Sequence, residues 1–158
     1  MDTLASVSPC HSVTLSVTTD YHTQFVDLTE RLQDLVRETG LETGILNVQS
    51  LHTTTAVVVN EHEPLLLSDF CDRLEQFAPS GIRYRHDAHA VRTVNLTPGE
   101  RTNGFAHCRA LVMPPSVCLN VVDGALRLGR WQRVFLVELD GPQPRSVSVL
   151  LLGDGVRA

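Results

Sequence analysis

Seven histidines lie along the chain, and three of them stand where they could do chemistry together. His52 opens the stretch LHTTTAVVVNEHE, while His86 and His107 stand in YRHDAH and NGFAH. A first-row metal takes deprotonated N, O or S ligands at about 2 Å, and rigid elements far apart in sequence can supply them. Three imidazoles leave a position open for water or substrate, and imidazole ligands favour zinc. Spacings of 34 and 21 residues match no short metal motif. Each histidine therefore keeps an ordinary reading as a surface or hydrogen-bonded core ring.

Acids, amides and arginines nearby extend the set. Asp87 beside His86 is a candidate to orient the ring or act as general base, with an exposed turn aspartate the plain alternative. Asn60 and Glu61 stand at the end of the apolar run that His52 begins, which makes them candidates for the same pocket. Thr53 is a candidate substrate contact beside them. His62 and Glu63 precede Pro64, and the chemistry of a helix start explains them well. Asp69 falls among apolar residues of the helix that follows, where a partly buried acid needs an arginine or a metal-bound water. Arg83, Arg85, Arg92, Arg101 and Arg109 would bind an anion if folded together; solvation is their ordinary state. Cys108 adjoins His107, but no nucleophile turn accompanies it, and no glycine-rich phosphate loop opens a helix. Trp131 reads as packing and Gln132 as structural or interfacial.

The elements that must position these residues follow from periodicity. SVTLSVTT (12 to 19) alternates as a half-buried strand. Phe25, Leu28, Leu32, Leu35 and Val36 predict an amphipathic helix capped by Thr23 and stopped at Gly40. Two β-rich runs, GILNVQSL and TTTAVVVN, come next, and in the first Leu46, Val48, Ser50 and His52 share one face. A second helix runs from Pro64 to Pro79. Residues 81 to 105 are polar without a sustained period, and a loop that long in a small domain tends to be functional. A short helix over Ala106 to Met113 ends at Pro114 and Pro115. Strands follow at 116 to 123, 133 to 140 and 146 to 153, with Asp123-Gly124 a hairpin signal. About seven strands, two or three helices and strands arriving in groups predict an α+β fold with a largely antiparallel sheet. One domain spans residues 1 to 158, with 1 to 11 and 154 to 158 as loose termini.

Composition excludes several classes. The formal charge is −5, from 13 basic and 18 acidic residues. The arginines are scattered, which argues against nucleic acid. No apolar run is long enough for a membrane helix and the start lacks a leader pattern, so the expectation is a cytoplasmic protein. Cys10, Cys71, Cys108 and Cys118 show no framework spacing and are expected as free thiols.

HTTTAVVVNEHEPLLLSDF, YRHDAH, ERTNGFAHCRALV and LRLGRWQRVFLVELDGPQPRSVSVLLLG together resemble the YjbQ-like family from about residue 12 to 153. That resemblance implies an α+β fold with a strongly bent sheet, a homotrimer, and a metal-associated pocket near the subunit boundaries. It also implies a secondary thiamine phosphate synthase activity, in which a thiazole phosphate displaces pyrophosphate from a pyrimidine pyrophosphate. Carried over by position, the family's histidines fall on His52, His86 and His107 and its Asn-Glu pair on Asn60 and Glu61. Its helix aspartate falls on Asp69, and its Trp-Gln on Trp131 and Gln132. Departures occur at Met113-Pro114-Pro115-Ser116, at Leu119-Asn120-Val121, and at Gly129-Arg130-Trp131, where Arg130 either meets a phosphate or faces water. Two expectations result. One is a divalent-metal enzyme, with zinc favoured and Asp87, Glu61 or Asp69 handling protons or supporting the ligands, acting on a small phosphorylated or anionic metabolite; the other is a non-catalytic trimeric binding or accessory protein.

Overall fold

Residues 10 to 156 are described in a computed structural model of the chain. The expected loose ends at 1 to 9 and at 157 and 158 lie outside that range. Cys10, His11 and Asp154, also expected loose, are instead strand residues, because β1 (Cys10–Thr18) pairs along its whole length with β8 (Pro144–Asp154).

Two antiparallel sheets make up the β part. The larger runs β1-β8-β3-β5-β6, with β3 at Thr43–Ser50, β5 at Ser116–Val122 and β6 at Ala125–Leu126. The smaller runs β2-β7-β4, with β2 at Gln24–Asp27, β4 at Thr55–Glu61 and β7 at Gln132–Glu138. The helices are α1 (Thr29–Thr39), α2 (Pro64–Phe77) and α3 (Gly104–Leu111), with one 3-10 turn at Arg85–Asp87. Among the described residues no helix is long and apolar enough to cross a membrane.

β7 explains the layering. As the middle strand of the smaller sheet it sends Val134 and Leu136 into a core shared with Leu46, Val48, Val149 and the α1 residues Leu32 and Val36. Phe135 and Val137, pointing the other way, pack with Phe105 and Ala106 of α3. A strand covered on both faces reads as a continuous apolar run, which RVFLVELD is. Asp123 and Gly124 both take positive φ, 53° and 70°, as a two-residue hairpin between β5 and β6 requires.

One expected element is corrected. The helix expected from Thr23 begins at Thr29, and Gln24–Asp27 is a strand in register with Phe135 to Glu138 of β7. Phe25 and Leu28 suit either period over so short a run, and pairing with β7 decides it. Asp27, not Thr23, then serves the helix start, its Oδ1 accepting from the Thr29 amide at 2.9 Å. Gly40 ends the helix at φ 72° as expected, and the Glu63 carboxylate accepts from Leu65 and Leu66 at the start of α2.

Candidate functional site

Where the two sheets part company, at the start of β4 and the end of β7, a cavity of about 450 Å³ opens among polar side chains. The β3–β4 connection supplies Thr53 and Thr54, the 3-10 turn His86, α3 His107, and the β7–β8 turn Asp140 and Gln143. Asn95, Thr97, Glu100, Asn103 and Arg145 complete the polar lining. The long polar segment thus folds over the sheet ends and supplies part of the lining.

His86 and His107 are brought together, with ring centroids 4.6 Å apart. Arg92 lies against the His86 ring and pairs with Glu100, whose carboxylate this bond lowers to about 2. Burial, and then the neighbouring His86, pull the pKa of His107 below its ordinary value. His52 is placed differently. It shares a neighbouring cleft with His107 and Thr53, and its Nε2 accepts a hydrogen bond from the Ser146 amide at 2.8 Å. That bond fixes the tautomer, with the proton on Nδ1. Burial, then Arg145, also lower the pKa of His52. Among the described residues no three His, Cys, Asp or Glu side chains converge as a ready-made metal site. The structure therefore forms the His86–His107 pair and leaves the expected three-histidine cluster unassembled.

Asp87 turns away from base chemistry. Its Oδ1 accepts from the backbone amides of Asn103 and Gly104, both at 3.0 Å, so it caps α3 and ties the turn bearing His86 to the helix bearing His107. Gly104 must be small there, since a Cβ would stand 2.4 Å from that of Tyr84. The Asn-Gly before His107 is thereby explained as joinery.

Three calls fall elsewhere. Asn60 and Glu61 were expected to line the same pocket as His52, but β4 carries them five and six residues beyond Thr55, about 17 to 20 Å along an extended strand. Asn60 instead lines an apolar cleft with Phe25, Phe70, Leu74 and Arg73. Asp69, expected to be partly buried, is exposed on α2. Arg130 stacks on Trp131 at 4.4 Å, and both precede Gln132, the register partner of Glu61, so they sit at the far end as well. Trp131 is 60% exposed rather than packed. Of the arginines expected to be solvated, Arg109 is buried against Glu75 and the Ala78 carbonyl, and Arg101 donates to the carbonyl of Asp140.

The buried ion pair behind the cavity was missed. Glu138 and Arg145, both buried, form a two-pronged ion pair with Nε and Nη2 each 2.6 Å from a carboxylate oxygen. Burial alone would raise the Glu138 pKa, yet the Arg145 bonds hold it below the ordinary range. Asp140, 4% exposed, accepts from Asn103 Nδ2 at 2.9 Å and Gln143 Nε2 at 3.1 Å. A carboxylate only accepts, so both amides are oriented with nitrogen toward Asp140. The signal was present in VELDGPQPR, where two acids and an arginine flank a turn at the end of an apolar strand. Nothing in spacing alone says that they fold back on one another.

An α+β chain of two antiparallel sheets, with a polar cavity of imidazoles, buried acid and buried arginine where they part, is the class defined so far. A family model described as UPF0047 protein YjbQ-like matches residues 13–154, and the chain belongs to that family. A UPF0047 protein of Methanothermobacter thermautotrophicus is 34% identical over 139 residues, covering 88% of this chain and 90% of the relative. One from Archaeoglobus fulgidus is 34% identical over 138 residues, covering 87% and 98%. Among solved structures, a YbjQ-like protein of unknown function from Sulfolobus solfataricus P2 superposes with a TM-score of 0.82 at 29% identity, covering 93% of this chain and 99% of that one. A hypothetical protein from Aeropyrum pernix K1 gives 0.80 at 33% identity, with 91% and 99% covered.

Proposed function

We propose that the cavity takes a small phosphorylated or anionic metabolite beside a divalent ion, zinc by ligand type, and that the chain is a metal-dependent enzyme acting on it. The observation that carries this reading is the pairing of two imidazoles from different elements, 4.6 Å apart, on a cavity that also holds a buried guanidinium and a buried carboxylate. Two imidazoles from different elements are the donors such an ion would take here. His107 is held toward its neutral form, the form that ligates, and His86 adjoins it. His52 lines the adjoining cleft, but its Nε2 lone pair is taken by the Ser146 amide and Nδ1 carries the proton, so the His86–His107 pair alone is the core of the ligand set. When bound, the ion would polarise a phosphoryl oxygen or stabilise a departing phosphate.

The chain's own residues supply the rest. Thr53 and Thr54 offer hydroxyls to the metabolite, Asp140 presents a carboxylate acceptor to the cavity, and Asp87 positions the histidines from behind. Glu61, Asp69, Asn60 and Arg130 have no part in this cavity within one chain. A homotrimer belongs to the same proposal: α2 buries none of its fourteen residues, and Leu65 and Phe77 stand 75% and 57% exposed.

Release of phosphate or pyrophosphate from a panel of phosphate esters tests the enzyme reading. The panel includes a pyrimidine pyrophosphate with a thiazole phosphate, the pair that thiamine phosphate synthase joins. Zinc-loaded protein is expected to turn over at least one member, and EDTA-treated protein and His107→Ala are expected to lose that turnover. Binding without turnover anywhere in the panel would overturn catalysis and leave a binding protein.

A further inference from the structure

The Glu138–Arg145 pair does more than hold the sheet ends together. Glu138 is saturated: its carboxylate accepts from Thr19 Oγ1 at 3.0 Å, from the amides of Leu139 and Asp140 at 2.9 and 2.8 Å, and from two nitrogens of Arg145. A carboxylate has about four lone-pair sites, so nothing further is needed there. Arg145 is not saturated. Nε and Nη2 are spent on Glu138, and Nη2 also reaches Thr54 Oγ1 at 3.2 Å. Nη1 has no hydrogen bond within the described residues, yet it is not among the sealed polar atoms that lack a partner. Arg145 lines the cavity, and Nη1 is its one guanidinium nitrogen left without a hydrogen bond among the described residues. Thr54 accepts from Arg145, which leaves its own proton to donate, and it lines the same cavity.

Asp140 constrains the ligand from the other side. Its Oδ2 takes the two amides, while for Oδ1 the nearest cation is Arg101 at 3.9 Å, beyond hydrogen-bond reach. A bare anion entering the cavity meets that carboxylate as a like charge. A molecule that also carries hydroxyl protons meets it as an acceptor.

We propose that Arg145 Nη1 and the Thr54 hydroxyl form the anchoring subsite for one oxyanion head, with Asp140 receiving a hydroxyl a few bonds away. The ligand is therefore a small hydroxylated skeleton with a single phosphate or carboxylate, and Glu138 is the positioning residue for Arg145. This rests on the anionic-metabolite reading above and sharpens it.

Calorimetric titration of the full chain with glycerol phosphate, glycerate, inorganic phosphate and glycerol tests the assignment. Wild type is expected to bind a hydroxylated anion more tightly than inorganic phosphate, and glycerol not at all; the stronger of glycerol phosphate and glycerate names the head group. Arg145→Lys keeps a charge for Glu138 but lacks the second guanidinium edge, and is expected to weaken that binding about tenfold. Thr54→Val is expected to weaken it severalfold and is the check should the lysine variant fail to fold. Asp140→Asn is expected to erase the preference over inorganic phosphate. Wild-type binding that survives Thr54→Val and a folded Arg145→Lys unchanged would overturn the subsite alone. Wild type binding none of the anions would overturn the underlying reading as well.

Discussion

Asp87 shows how a residue beside a histidine can matter without touching the chemistry. It accepts two amides at the start of α3, and removing such an acceptor costs about 1 to 2 kcal/mol. Asp87→Ala is expected to lower unfolding free energy by that amount in a urea titration, with Asp87→Asn recovering most of it. A general base would give the opposite pattern, with full stability and equal loss of turnover in both. Titration adds a second expectation. His52 and His107 have folded pKa values below their ordinary 6.5, so the unfolded chain binds more protons and stability falls as pH drops through that value. Asp27, bonded to Arg133, and Glu100, bonded to Arg92, stand at about 2 in the fold against 3.8 and 4.5, so their contribution is full above the higher values and is lost between there and about pH 2. Thermal melts from pH 8 to 2 should decline in those two windows. At this scale the sequence made His86 and His107 legible through their motifs. It could not show that the His52 Nε2 is taken by a β8 amide, because that contact joins residues 94 apart in the chain.

Elements decide which candidates meet. Both ends of LHTTTAVVVNEHE look chemical, but one strand cannot bring its own ends together, so Thr53 and Glu61 face different parts of the molecule. The strand was legible from its Thr and Val content, and its direction relative to the cavity was not. β7 was legible as a buried strand, whereas the ion pair at its end depends on the turn that leads into β8 of the other sheet. That pair makes a sharp prediction. Arg145→Met leaves the Glu138 carboxylate buried without its cation, expected to cost about 3 to 5 kcal/mol. Replacing both partners, Glu138→Met with Arg145→Met, should cost distinctly less, as read from paired chemical denaturations.

Across the whole molecule, the fold class was legible because strands came in groups, and the solved Sulfolobus solfataricus structure shares it at a TM-score of 0.82. The second sheet was not, since β2 is only four residues long and its apolar spacing also suits a helix. α2 explains itself least within one chain: it has an apolar face, yet it buries no residue. If that face packs against further copies, light scattering should give three times the 17.4 kDa chain mass. Leu65→Arg with Phe77→Arg should reduce it; a wild-type monomer would contradict the trimer.

The central claim is that His86 and His107 form the heart of a metal pocket. Anomalous diffraction at the zinc edge, from crystals of the EDTA-treated chain soaked in zinc, tests it most directly. The account predicts a peak about 2 Å from a ring nitrogen of each of the two histidines, absent in His107→Ala. Zinc found only elsewhere, with the two rings unligated, would contradict it.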